Sequence, residues 1–182
     1  MALWHVAATL FLFRWIFRDP KVDVRFLALG ALLPDLVDLP VGTLIAPDEF
    51  AAGQLWMHTL LVPSILAVVI LLMTRRGRRR RAWMALVVGM FFHLLLDGMW
   101  TSSEVFLWPG FGTEFPRQPL PYWVNAWERA LHDPWRWILE LAGGIYLWWV
   151  WRTASLGEPA RRHALLTTGR IAGDTTTGGG RA

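Results

Sequence analysis

Two apolar runs constrain this chain more than anything else in it. Residues 55–73 carry no formal charge apart from the possible charge of His58. Residues 82–100 carry one acid, Asp97, and one histidine, His93. Wound as helices at 1.5 Å per residue, each covers about 28 Å, close to the hydrocarbon thickness of a bilayer. Between them stands a run of arginines broken by one glycine: Arg75, Arg76, Gly77, Arg78, Arg79, Arg80 and Arg81. The composition agrees with a membrane reading. Hydrophobic residues make up 54% of the 182 residues and charged residues 18%, against about 25% charge in soluble domains. So few charges could hardly cover the surface of a soluble fold, and so much apolar content excludes disorder for most of the chain. The absence of cysteine excludes disulfides, iron–sulfur clusters, Cys-based zinc sites and a Cys nucleophile.

Three further runs extend the pattern. Residues 2–17 and 24–39 are shorter and contain Arg14, Asp35 and Asp38; residues 135–151 contain Arg136 and Glu140. The N-terminal run lacks the basic start of a secretory signal and reads as a span. The sequence thus predicts an all-α integral membrane bundle of about five transmembrane helices. It forms one domain over 1–152, with a long Pro- and Trp-rich outer loop at 101–134 and a disordered cytoplasmic tail at 153–182. Sidedness follows from the basic residues. Of the 18 Lys and Arg residues, all but Arg117, Arg129 and Arg136 fall on one side, which places the N-terminus outside and the C-terminus in the cytoplasm. The 13 Trp residues then fall near the two interfaces, as amphipathic indoles do. An arginine run between two apolar spans points to topogenesis and anionic lipid, not to nucleic acid.

Ionisable residues inside spans mark candidate functional sites, since an Asp at mid-span costs about 2.5–3.5 kcal/mol without partners. Counted along helices from the basic side, His5 and Asp38 lie at about 20 Å, Asp35 at about 15 Å and His58 at about 26 Å. His93 and Asp97 lie at about 18 and 24 Å. Residues from four spans therefore converge in the outer half of the bilayer. His93 and Asp97 are four apart and share a helix face; Asp35 and Asp38 share one if the helix survives Pro34. Imidazole with carboxylate suits Zn²⁺ or Mn²⁺, one ion or two. The ligand candidates are His5, Asp35, His58, His93 and Asp97. Asp38 is a further ligand or the general base that orients water. Glu104, seven residues beyond Asp97, is a second catalytic candidate if that helix runs one turn further; Thr59 and Thr101 are candidate supports. Glu140 either lines the site or pairs with Arg136. A proton relay of a small transporter, or a packing network in a structural membrane protein, would use the same residues; a relay needs polar groups through both leaflets.

The segments Gly30-Ala31-Leu32-Leu33-Pro34-Asp35-Leu36-Val37-Asp38, His58-Thr59 and His93-Leu94-Leu95-Leu96-Asp97 carry a resemblance. With His5 before them and Trp108-Pro109 after, they resemble the YdjM-like membrane-bound metal-dependent hydrolases of the LexA-regulated type. The likeness spans about residues 5 to 110. It departs from the family pattern at Met57 and Leu60, which flank His58-Thr59, and in the spacing of Asp38 from Asp35. It implies a metal-dependent hydrolase of a bacterial or archaeal cytoplasmic membrane. The location of the site favours a lipid-linked or phosphoester substrate arriving from the bilayer, with membrane lipids as the expected partners.

Overall fold

A computed structural model of the chain describes residues 1–47, 49–50, 52–117 and 122–171. Asp48, Ala51, part of the outer loop at 118–121 and the tail at 172–182 lie outside the described residues. Among those described, the fold is all helical with no strand. In order it comprises α1 (Ala2–Phe17), α2 (Val24–Pro40), α3 (Leu61–Met73), α4 (Arg78–Leu96), α5 (Ser103–Phe106), α6 (Tyr122–His132), α7 (Pro134–Thr153) and α8 (Pro159–Thr168). A π turn follows α2 at Val41–Ile45, and 3-10 turns stand at Trp56–His58 and Met99–Thr101.

The five expected spans answer to α1, α2, α3, α4 and α7. Among the described residues, one helix is both long and apolar enough to cross a membrane: Val24–Ile45, which is α2 with its π turn, 22 residues. α1 and α3 are apolar but shorter. α4 opens on arginines, and α7 carries Arg136, Glu140 and Arg152.

Local chemistry sets the ends. Asp23 caps α2, its side chain accepting from Arg25 N at 3.2 Å. α2 stays helical through Pro34 and Pro40. Pro40 returns no N–H to the preceding turn, and the helix widens directly after it, with Ala46 N donating to Val41 O at 2.9 Å. The expected span at 55–73 begins as a helix only at Leu61. Pro63 has no N–H for the carbonyl of Thr59, which disfavours extending the helix back to that residue, and Thr59 itself is extended. α4 starts earlier than the apolar run, at Arg78, and stops at Leu96, because Gly98 takes a left-handed conformation at φ 66°. The tail, expected to be disordered from 153, instead carries α8. Its last turn is held by two distant arginines: Arg25 donates to Leu166 O, and Arg78 to Thr167 O and Thr168 O at 3.3 and 3.2 Å. Val24 N also donates to Gly169 O at 2.8 Å.

α2 and α4 form the most intimate pair. A Cβ on Gly30 would stand 2.0 Å from Leu86 O, and one on Gly89 2.3 Å from Leu27 O. The two backbones therefore touch at reciprocal glycines, the close approach that membrane helices gain from small residues. α7 meets α1 in the same way, at Gly143 against Leu3. The core holds apolar side chains such as Leu27, Leu55, Met90 and Leu94, but it also takes in polar ones, and many large apolar side chains face outward. His5, Thr9, Asp38, His58, Thr59 and His93 are buried, while Phe11, Trp15, Ile65, Leu72, Leu141 and Trp148 are exposed. An outward apolar surface over a core that also holds polar groups is what a lipid solvent permits.

Candidate metal centre

The polar interior is built from α1, α2, the Trp56–His58 turn and the C-terminal end of α4. Asp38 organises one side of it. Its carboxylate, fully buried, accepts from the backbone N–H groups of Leu55 (2.8 Å), Met57 (3.2 Å) and His58 (3.1 Å). It also faces His58 Nδ1 at 2.8 Å. A carboxylate can only accept there, so Nδ1 carries the hydrogen and Nε2 of the neutral ring is bare. His93 is oriented the same way: its Nδ1 lies 2.7 Å from Ala31 O, within the α2 turn that holds Pro34. That carbonyl fixes the second ring with its Nε2 bare as well.

The two bare nitrogens point at each other, 3.3 Å apart. Neither neutral ring has a hydrogen to give the other. Two carboxylates close the group. Asp35 Oδ1 lies 3.5 Å from His58 Nε2 and 3.7 Å from His93 Nε2. Asp97 Oδ2 lies 3.7 and 3.6 Å from the same two atoms. One ligand atom from each of Asp35, His58, His93 and Asp97 thus falls within 4.8 Å of every other. The donor set fits a divalent ion: two imidazole lone pairs and two carboxylates, converging without a hydrogen bond to satisfy the facing nitrogens. These four residues form a group that could hold a metal ion.

The remaining candidates separate. His5 stands beside the group, stacked on His93 with ring centroids 4.4 Å apart. Its Nε2 meets Asp97 Oδ1 at 2.8 Å and its Nδ1 meets Met1 O at 2.6 Å. Asp35 and Asp38 flank His58 from its two ring nitrogens, Asp38 wholly buried and Asp35 about 40% exposed. Every contact of Asp38 serves the 55–58 turn, so it shapes the site without reaching its centre. Glu104 does not continue the face of Asp97. α4 has already ended, and Glu104 sits exposed on α5, lining a cleft of about 670 Å³ with Glu49, Phe50 and Trp56. Thr101 is exposed and bonds Gly98 O at 2.8 Å. Thr59 is buried, and its hydroxyl donates to Trp56 O at 2.7 Å, bracing the turn. Glu140 neither lines the site nor pairs with Arg136. It accepts from Trp4 N at 3.2 Å at the start of α1, where a helix N-terminus favours an acid. Arg136 pairs with Asp133 at 3.4 Å.

Sequence reasoning missed Gln54, whose Nε2 lies 3.4 Å from Asp97 Oδ2. It also missed the carbonyls of Ala31 and Met1. Backbone partners leave no mark on side-chain spacing. Gln54 carried only a faint signal, as an uncharged polar residue just ahead of the apolar run.

An all-helical membrane protein whose buried histidines and carboxylates converge on one point defines the class. The model of the YdjM inner membrane protein family matches residues 1–159, and the chain belongs to that family. No curated protein and no solved structure matches it.

Proposed function

We propose that the protein is a membrane-bound metal-dependent hydrolase acting on a lipid-linked or phosphoester substrate at the outer face of the membrane. In this reading α1, α2, α3, α4 and α7 all span, with the N-terminus outside and the C-terminus in the cytoplasm. The observation that carries the proposal is the meeting of Asp35, His58, His93 and Asp97 within 4.8 Å. Asp35, His58, His93 and Asp97 would hold a divalent ion, zinc or manganese, with His5 adjoining. Such an ion supplies Lewis acidity toward an ester or phosphoryl oxygen.

The chain's own residues do the rest. Asp38 and Ala31 O hold the two imidazoles in the tautomer that leaves Nε2 free. His5 holds a proton between its Nε2 and Asp97 Oδ1, within reach of the ligand set. Asp35 is the most exposed of the three aspartates. The apolar outer surface of the bundle suits a substrate that diffuses in the bilayer. A transmembrane relay finds no support: among the described residues α3 and α4 bury no polar side chain besides His93. The deciding measurement is the metal content of purified protein, wild type against His93→Ala with Asp97→Ala, alongside hydrolysis of phosphoester and ester probes. The reading expects stoichiometric metal and metal-dependent turnover in the wild type alone. Equal, negligible metal in both proteins sinks it.

A further inference from the structure

The turn joining α3 to α4 carries charge that works against the helix it opens. α4 begins with Arg78, Arg79, Arg80 and Arg81 and has no acid in its first turn. A helix N-terminus carries partial positive charge, so cations there are unfavourable and anions favourable. The cap sharpens the mismatch. Gly77 offers no side-chain acceptor to the first amides of α4, and a Cβ at that position would meet nothing within 4 Å. Those amides have no side-chain cap, and uncapped helix N-termini bind phosphate.

Two of the arginines are engaged elsewhere. Arg80 serves the end of α3, donating to Leu71 O at 2.7 Å, to Thr74 Oγ1 at 3.2 Å and to the Thr74 carbonyl. Arg78 serves the end of α8. Arg75, Arg76 and Arg79 have no hydrogen-bond or ion-pair partner among the described residues. Those three residues, with Arg78, line a groove of about 630 Å³. Its apolar lining includes Leu66, Val69 and Met73 from α3, and Trp83 from α4. Trp83 is fixed edge-on against Phe26 of α2, ring centroids 5.1 Å apart.

A groove lined by both apolar side chains and arginines, at the start of an uncapped helix, matches an anion that carries a hydrocarbon chain. We propose that this groove is a binding site for an anionic glycerophospholipid. Its phosphate lies on Arg75, Arg76, Arg79 and the first amides of α4, and one acyl chain lies along Leu66, Val69 and Met73 against Trp83. Charge complementarity selects the lipid class. A zwitterionic headgroup would bring its own cation to the same arginines, whereas a net anion offsets both the guanidinium cluster and the helix end. The site is separate from the His and Asp group and does not depend on it.

The test uses the full chain in a neutral detergent, titrated with phosphatidylglycerol or phosphatidylcholine and read by native mass spectrometry. One phosphatidylglycerol is expected per chain, with phosphatidylcholine far weaker. Replacing Arg75, Arg76 and Arg79 together by Gln is expected to weaken phosphatidylglycerol on the order of 100-fold. Val69→Trp fills the trough without changing charge and is expected to displace the lipid as well. Met73→Trp is the second filling variant should Val69→Trp lose its helical circular dichroism. Wild-type binding in a folded filling variant would reduce the effect to diffuse charge attraction and overturn the site. So would equal binding of phosphatidylcholine, or competition by glycerol phosphate at the same concentrations as the lipid, since glycerol phosphate has no chain to bury.

Discussion

Asp38 illustrates how a carboxylate's role depends on which atoms reach it. From the sequence it is a ligand or a base. In the fold its two oxygens take three backbone N–H groups and His58 Nδ1, which ties the fully buried carboxylate to the 55–58 turn. Those donors lie 17 to 20 residues further along the chain, so no local spacing could announce them. Asp38→Asn puts an amide hydrogen among donors. We expect it to cost about 1–3 kcal/mol of unfolding free energy and to weaken metal binding about 10- to 100-fold by freeing the His58 ring. Asp35→Asn should weaken metal comparably with little loss of stability, because Asp35 is half-exposed. Denaturation and metal titration of the two variants, run in parallel, separate a clamp from a ligand; equal stability loss in both would refute the division. Glu104→Gln should leave metal content unchanged, since that residue is exposed on α5.

At the scale of elements, the site depends on how closely α2 and α4 approach. Gly30 and Gly89 each face the other helix's backbone, so neither neighbour can give way. Gly89→Ala should destabilise by about 1–3 kcal/mol and lower metal occupancy too, because Asp35 and His93 ride on the separated helices. Thermal unfolding with metal analysis checks both effects; loss of stability with full metal occupancy would mean the crossing does not set the site. The N-terminus of α2 adds a pH dependence. Burial raises the Asp23 pKa, but hydrogen bonds and charge from Arg25 outweigh it, and the carboxyl is held below its usual range. A depressed acid stabilises the fold above its unfolded pKa of about 4 and loses that contribution as pH falls through the folded value. Asp23→Asn should therefore lose stability at neutral pH and show a smaller loss on acidification. The same elements show what was legible. The apolar runs and the His93–Asp97 spacing were readable because they are local and periodic. The late start of α3 was readable in principle, from Pro63. Only Gly98 marks the early stop of α4 in the sequence, and the face expected to continue to Glu104 ends there. α8 was invisible because Arg25 and Arg78, which hold its last turn, come from the far ends of other helices.

At the scale of the molecule, the bundle exposes large apolar side chains and gathers its buried histidines around one point. Little hydrophobic driving force then acts between helices surrounded by lipid, so the centre has to be held by packing and by polar contacts. The group of Asp35, His58, His93 and Asp97 joins α2, the 56–58 turn and α4. An ion bound there links three segments that are far apart in sequence, and binding to the folded state alone stabilises it by mass action. At free metal about one hundred times Kd, the gain is about 2.7 kcal/mol. Chelation should therefore lower the melting temperature of the wild-type protein in detergent, and added Zn²⁺ or Mn²⁺ should restore it in a concentration-dependent way. His93→Ala with Asp97→Ala should be insensitive to both treatments. The glycine crossing variant tests the coupling from the other direction. If Gly89→Ala acts by separating the ligands, excess metal should recover part of its lost stability; recovery absent in a variant that still binds metal would show that the ion does not hold the bundle together.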